Sequence, residues 1–323
     1  MTEQRVFTER DDRFHFAEMT NDWWATETAW FSFCHPERRL GGWFYTMVRP
    51  NIGTVAGGAW IWDHSAHLPW EVLYSANYSA LQLPRDQDLN DITLPTGVSI
   101  RVIEPCTSYA LGYNDGERLK ASLRFDGVMP PEPLTSTGST FGHAHHFDQI
   151  GHVTGELVLH GETIAIACLS VRDRTWGRRP EDRPRQAAYV TGAASATHGF
   201  LAVTNSEVAR NEVARHEVAR NPVAYGFLLR DGRTVRLTQG ERKIERDAAN
   251  GWITRIELQA RDAEGREIVA VGEPVSRIII NRHTFIDINS LVRWNINGES
   301  GWGEDQDMWP VHRWSRLRRS ARG

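Results

Sequence analysis

Residues 151–180 read GHVTGELVLHGETIAIACLSVRDRTWGRRP. Two apolar runs flank Gly161-Glu162, and glycine at the first position of a two-residue loop predicts a β-hairpin with a type II′ turn. Counting back from that turn sets Leu159 opposite Ile164, Leu157 opposite Ile166 and Gly155 opposite Cys168, with Val158, Glu156, Ala165 and Ala167 on the other side. Continued past Ser170, the alternation places Arg172, Arg174 and Trp176 on the face of Ile164 and Ile166, and Asp173 and Thr175 on the opposite one. An apolar face that ends in two guanidiniums and an indole reads as the mouth of a pocket. A second reading stands beside it, in which Asp173 pairs with a neighbouring arginine and Trp176 plugs the bottom of a barrel.

Outward from that hairpin, the length of 323 residues fits two domains of about 150 residues each. Hydrophobic residues make up 40% of the chain, enough for two cores. Of its 13 tryptophans, Trp23, Trp24, Trp30, Trp43, Trp60, Trp62 and Trp70 crowd the first quarter, and such aromatic walls suit a flat or apolar ligand. A formal net charge of −4 and a pI near 6.4 give no general attraction to phosphate backbones, which argues against a nucleic-acid partner. The N-terminal residues lack an apolar signal core and no run has the length of a membrane span, so a soluble, cytoplasmic protein is expected. Cys34, Cys106 and Cys168 are widely spaced and odd in number, which favours reduced thiols over a disulfide framework or a zinc site.

The segment from Thr20 to Trp30 reads as a short helix capping a barrel end. Gly41 to Val48 and Ala59 to Trp62 read as strands, with Trp43 and Tyr45 sharing a face and Trp60 and Trp62 sharing another. These pairs form one wall, either for a ligand or as ordinary cross-strand packing. Strand-like runs follow at Trp70–Asn77 and Gly97–Glu104, then a hairpin of Ser108–Leu111 and Leu119–Phe125 around Asn114-Asp115-Gly116. The loop MPPEPLTSTGST, a lid or a plain linker, ends in His143, His145, His146 and Asp148. His143 and His145 share a face with cupin-like spacing but without the expected glutamate. A histidine tuned near a cavity, a metal site and solvated loop histidines all remain open there.

EDRPRQAA, residues 181–188, divides a domain 1–180 from a domain 188–323. Three tandem pentapeptides, EVARN, EVARH and EVARN at residues 207–221, match neither helical nor strand periodicity and read as an expanded surface loop. Further hairpins follow at Val223–Leu229 with Thr234–Thr238, and at Trp252–Ala260 with Arg266–Val271. Arg277–Ile280 and Phe285–Trp294 finish the sheet. Gly301-Trp302-Gly303 echoes Trp176-Gly177, and a basic tail ends the chain. No phosphate loop, dinucleotide fingerprint, Gly-x-Ser-x-Gly elbow or Cys-x-x-Cys pair occurs, which disfavours a kinase, a dehydrogenase or a serine esterase.

A glycine-turn hairpin followed by SVRDRTWGRR resembles the signature of the lipocalin-like family that contains carotenoid 1,2-hydratases, AttH-type proteins and certain natural-product cyclases and Diels-Alderases. The runs TAWFSFCHPERRLGGWFYTMVRPN and ESGWGEDQDMW are similar to a subgroup of that family whose activities are largely unassigned. The resemblance implies an all-β chain of two consecutive lipocalin-like antiparallel β-barrels or half-barrels with few short helices, no metal and no cofactor. It also implies an Asp-x-x-Trp-Gly element near the cavity, matched here by Asp173, Trp176 and Gly177. Arg174 stands where the hydratase form of the motif usually carries histidine.

The expected function is therefore a cofactor-independent hydratase, dehydratase or cyclase acting on a terpenoid, steroid or similar apolar olefin or alcohol. A protonated carboxyl starts the reaction and indole faces stabilise the cation. The expected acid is Asp173, of the Asp173, Arg174 and Trp176 cluster, although the register turns it away from Arg174 and Trp176. His145, His146 and Asp148 take that role if Asp173 is locked in an ion pair. Trp43, Tyr45, Trp60, Trp62 and Arg172 are the expected substrate contacts. A non-catalytic carrier of a lipophilic molecule and a pericyclic catalyst relying on shape are the alternatives.

Overall fold

The computed structural model describes residues 7–19, 21–134, 144–180, 186–206, 219–282 and 284–320. Strand dominates: three 3-10 turns and one C-terminal α-helix are the helical elements among the described residues. The chain divides into two compact units, the first ending at Pro180; the second takes Asp63–Glu71 together with the chain from Glu181 onward. His143, most of the pentapeptide repeat and the start of the expected linker lie outside the described residues. No helix among the described residues is long and apolar enough to cross a membrane.

The first unit is a single curled antiparallel sheet. Its strands are β1 (Ala25–His35), β2 (Leu40–Arg49), β3 (Thr54–Trp62), β4 (Tyr74–Gln82), β5 (Asp91–Thr93), β6 (Val98–Glu104), β7 (Ser108–Asp115), β8 (Leu119–Gly127), β9 (Glu132–Pro133), β10 (His145–Leu159) and β11 (Glu162–Arg178). They run in the order β4-β3-β2-β1-β11-β10-β8-β7-β6-β5, with β9 added beside β10. The core gathers one face of this sheet, including Phe31, Phe33, Phe44, Ile61, Leu111, Phe125, Leu157, Ile164 and Ile166. The helix expected over residues 20–30 is instead a turn leading into β1. Every residue from Ala25 to Cys34 is buried, so both faces take apolar or paired side chains. The period-2 signal is then lost, and β-branched and aromatic enrichment is the better guide.

The β10–β11 hairpin corrects the expected register by one residue on each strand. Leu159 pairs with Glu162, Leu157 with Ile164, Gly155 with Ile166 and Val153 with Cys168. The two-residue loop is His160-Gly161, and both residues have positive φ, 50° and 86°. That is the backbone of a type I′ turn, in place of type II′ at Gly161-Glu162. Because one residue moves on each strand, the faces survive. Arg172, Arg174 and Trp176 stay on the face of Ile164 and Ile166, and Asp173 and Thr175 on the other.

The second unit closes into an eight-stranded barrel, β12 (Ala187–Ser195), β13 (His198–Asn205), β14 (Ala219–Arg230), β15 (Arg233–Arg246), β16 (Ile253–Asp262), β17 (Glu267–Arg282), β18 (Phe285–Ile296) and β19 (Glu299–Pro310). Two expected strands, Arg266–Val271 and Arg277–Ile280, are one long β17. The Gly-Trp-Gly echo lies in β19, which pairs with both β18 and β12 and so closes the barrel. Within the barrel, Arg242 grips Asp305 at 2.8 and 2.7 Å and Arg246 meets Asp307 at 2.7 Å. Burial lifts the Asp305 carboxyl above its ordinary pKa. Burial acts on Asp307 in the same sense, but Arg246 and Arg242 outweigh it and hold that carboxyl low. The basic tail is α1 (Val311–Ser320), whose Trp314 is buried and stacks on Trp252 at 5.7 Å.

Candidate functional site

The charged end of β11 has two faces with different contents. On the core face, Arg174 is 2% exposed and engaged through both of its terminal guanidinium nitrogens. It donates to the carbonyls of Thr28 (3.1 Å), Thr175 (2.9 Å) and Arg13 (3.0 Å) and forms an ion pair with Glu27 on β1. Burial acts to raise the Glu27 pKa, but Arg174 and a hydrogen bond from His15 overcome it and the carboxyl sits below its ordinary range. Trp176, 1% exposed, is sandwiched: the His15 ring stacks on it at 4.4 Å and 9°, and His145 stacks at 5.3 Å. Phe147 and Phe7 meet its edge at 6.1 and 6.3 Å.

Residues 7–15 form a strap across this face. A 3-10 turn, Glu9–Asp12, carries a capping box in which Thr8 and Asp11 bond reciprocally, satisfying the free amides of the turn. Asp12 accepts from the Tyr109 hydroxyl (2.6 Å) and the Cys106 amide (2.7 Å), and the His15 amide donates to Glu27 (2.6 Å). Beneath the strap, Arg172 donates from Nε to Gln149 at 2.7 Å, with its guanidinium 4.1 Å from the Tyr109 ring centroid and 4.8 Å from that of Phe147. Aromatic faces stabilise that buried cation.

The back face holds one histidine and two carboxyls, His146, Asp148 and Asp173. Directly paired residues of antiparallel strands share a face, so the pairings define rows across β2, β1, β11 and β10. One row is Tyr45, Trp30, Asp173 and Asp148. Beside it runs Met47, Thr28, Thr175 and His146, and on the other side the pairs Trp43–Ser32 and Val171–Ile150, joined by the Ser32 hydroxyl, which donates to the Val171 carbonyl. Trp60 on β3 pairs with Trp43. The indoles of Trp30, Trp60 and Trp62 meet Trp43 edge to face at 5.3, 6.4 and 6.0 Å, the geometry that ring quadrupoles favour. Gly41 lets the Trp62 ring lie on β2: a Cβ there would come within 2.4 Å of the indole.

His146 is held at both ring nitrogens. Nδ1 lies 2.6 Å from Thr175 Oγ1, and Nε2 lies 3.2 and 3.1 Å from the two oxygens of Asp148. Asp148 is fully buried and His146 is 4% exposed, whereas Asp173 is half-buried. Donor atoms of His146, Asp148 and Asp173 all lie within 4.8 Å of one another. An imidazole and two carboxylates form a proton-exchanging set. They are also a donor set that suits a divalent cation.

The structure thus splits the residues singled out in the sequence. It joins Asp173, His146 and Asp148 with Tyr45 and the row of Trp43 and Trp60, while Trp62 completes the indole cluster. It sets Arg172, Arg174 and Trp176 on the other face, buried under the strap, with the exposed His145 beside Trp176, so the expected grouping of Asp173 with Arg174 and Trp176 does not hold. His145 and His146 face opposite ways, which removes His145 from any shared donor set with Asp148. The sequence reading missed Trp30, Thr175, Glu27 and His15. Trp30 and Glu27 were concealed by the helical reading of that segment, since strand alternation places Glu27 with Phe31 and Phe33, as a lone carboxylate on an apolar face.

A comparison with curated proteins gives no match. Among solved structures, the Diels-Alderase CghA, crystallised with Sch210972, aligns with a TM-score of 0.57 at 12% identity, covering 89% of this chain and 88% of its own. A protein of Nitrosomonas europaea assigned as an AttH aligns with a TM-score of 0.55 at 12% identity, covering 96% of this chain and 98% of its own. Both are lipocalin-like barrel proteins, and at this identity the likeness is one of fold. Residues 8–310 match a family described as a domain of unknown function, DUF7064, and the chain belongs to that family.

Proposed function

We propose that this protein is a cofactor-independent acid/base catalyst, a hydratase, dehydratase or cyclase of an apolar olefin or alcohol, working from the back face of its first unit. The observation that carries the reading is the His146–Asp148–Asp173 set in rows adjoining Tyr45, Trp30 and Trp43. Asp148 and Asp173 are directly opposed across β10 and β11. Two carboxyls so placed give the site an acid and a base, and the acid's proton is the one transferred. The half-buried Asp173 is the member that delivers that proton to a double bond or a departing hydroxyl. The π faces of Trp30 and Tyr45 stabilise the carbocation. Water then adds to the cation while His146 accepts its proton, or the cation loses a proton to His146, giving hydration in one case and elimination or cyclisation in the other.

That CghA, a Diels-Alderase, shares the fold supports reading this architecture as a scaffold for small-molecule chemistry. The test is conversion of a panel of terpenoid and steroid olefins and alcohols in oxygen-18 water. Incorporation or loss of label by the wild type, abolished in Asp173→Asn, is the expected result. A stoichiometric lipophilic molecule in the solvent extract with no conversion by the wild type would establish a carrier and overturn the catalytic reading.

A further inference from the structure

The pairing of β1 with β11 runs from Ala25 and Arg178 to Phe31 and Arg172. Past that point side chains join the two strands. Ser32 Oγ lies 2.5 Å from Ser170 Oγ and donates to the Val171 carbonyl at 3.1 Å, and the Cys34 amide donates to Cys168 Sγ at 3.3 Å. The Cys34 amide and the Cys168 sulfur therefore meet at a seam beyond the last paired residues of β1 and β11. The same strands, a few residues on, carry Trp30 and Asp173.

We propose that Cys34 and Cys168 are an oxidative modification site that closes to an intramolecular disulfide on meeting a low-molecular-weight disulfide. The partner amide already touches the Cys168 sulfur and the Cys34 side chain hydrogen-bonds to it, and a disulfide requires Cα separations of roughly 4.4–6.8 Å. The chemistry is ordered by the thiols themselves. A hydrogen bond from the Cys34 thiol holds the Cys168 pKa below the ordinary thiol value, against the opposing effect of burial, so Cys168 is the attacking thiolate. Cys106 is excluded as its competitor because burial pushes its thiol up to about 12, and its Sγ is turned toward the Thr8 carbonyl at 3.3 Å.

The exchange balances in two steps. Cys168 thiolate attacks one sulfur of the reagent, forming a mixed disulfide and expelling one reagent thiolate. Cys34, giving its proton to solvent, then attacks the Cys168 sulfur and expels the second. The protein loses two electrons and two protons, and the reagent is reduced to two thiols. The bond would clip the seam and fix the register of β1 against β11.

Titration of the full-length protein with oxidised glutathione, followed by thiol counting in denaturant and intact-mass and peptide mapping, tests this. The expected product has lost two of the chain's three thiols and the mass of two hydrogens, links the Cys34 and Cys168 peptides, unfolds at higher temperature, and reverts with dithiothreitol. Cys106→Ser should form the same bond, and Cys34→Ser should instead stop at a glutathione adduct on Cys168. Persistence of all the thiols, a stable glutathione adduct on wild-type Cys168, or a bond that includes Cys106 would overturn the proposal.

Discussion

The two faces of β11 are made by alternating residues of one short stretch, 171–176, yet they have opposite characters. On the core face both guanidiniums are partnered, Arg174 by Glu27 and three carbonyls and Arg172 by Gln149 and aromatic rings, with Trp176 packed against His15, His145 and Phe147. On the back face Asp173 and Asp148 are set opposite each other, next to a histidine held by Asp148 and Thr175. A buried ion pair fixes structure, whereas the proposed function draws on the opposed carboxyls and the imidazole beside them. Alternation along one strand is enough to keep the two roles apart, since adjacent side chains project to opposite sides.

The largest expected effect falls on the core face. Glu27→Gln leaves the buried Arg174 guanidinium without a countercharge, and urea unfolding should show a loss of about 3–5 kcal/mol. A loss below about 1 kcal/mol would show that the carbonyls alone satisfy Arg174. The same pair sets an acid limit. The folded-state pKa of Glu27 lies below its ordinary value of 4.5, so its stabilisation is complete above that value and disappears as pH falls through the lower folded one. In a background where the protein still folds, Glu27→Gln should flatten this part of the acid-unfolding curve. An unchanged acid limb would dissociate it from Glu27.

Next in size is the indole wall. Trp43 touches three other indoles and is fully buried, so Trp43→Leu should cost about 2–3 kcal/mol through the void it opens. It should also weaken binding of an apolar fluorescent probe; unaltered probe binding would separate the wall from the ligand. Thr175→Val removes the partner of His146 Nδ1 and should cost about 1–2 kcal/mol. Nitrogen-15 NMR of the labelled imidazole should report an altered Nδ1 signal for His146, which has lost its hydrogen-bond partner, and an identical spectrum would mean that Thr175 does not hold the ring. Asp173→Asn should be the mildest for the fold, within about 1 kcal/mol of wild type.

Much of this arrangement was legible in the sequence. The glycine turn and the alternation beyond it placed Asp173 opposite in facing to Arg174 and Trp176 even though the exact register slipped, because a paired one-residue shift preserves the faces. The sharing of a face by Trp43 and Tyr45, and by Trp60 and Trp62, followed from the same period. What alternation does not encode is which strands become neighbours. Placing β11 between β1 and β10 is a long-range choice, and it alone brings Trp30 to Asp173 and Glu27 to Arg174. Burial on both faces of β1 erased its periodicity and left Asp22 and Glu27 among tryptophans to imitate a helix. The strap was equally hidden: TERDDRFHF has no long apolar pattern, and its role arises from Asp12, His15 and backbone groups meeting partners elsewhere in the chain.

The most direct test is label exchange from oxygen-18 water into the olefin and alcohol panel by four proteins: wild type, Asp173→Asn, His146→Gln and Arg172→Lys. The division between faces predicts exchange by wild type and by Arg172→Lys, and loss of exchange in Asp173→Asn and His146→Gln with their unfolding temperatures close to wild type. Exchange that survives both back-face substitutions, or that wild type never shows, would contradict it.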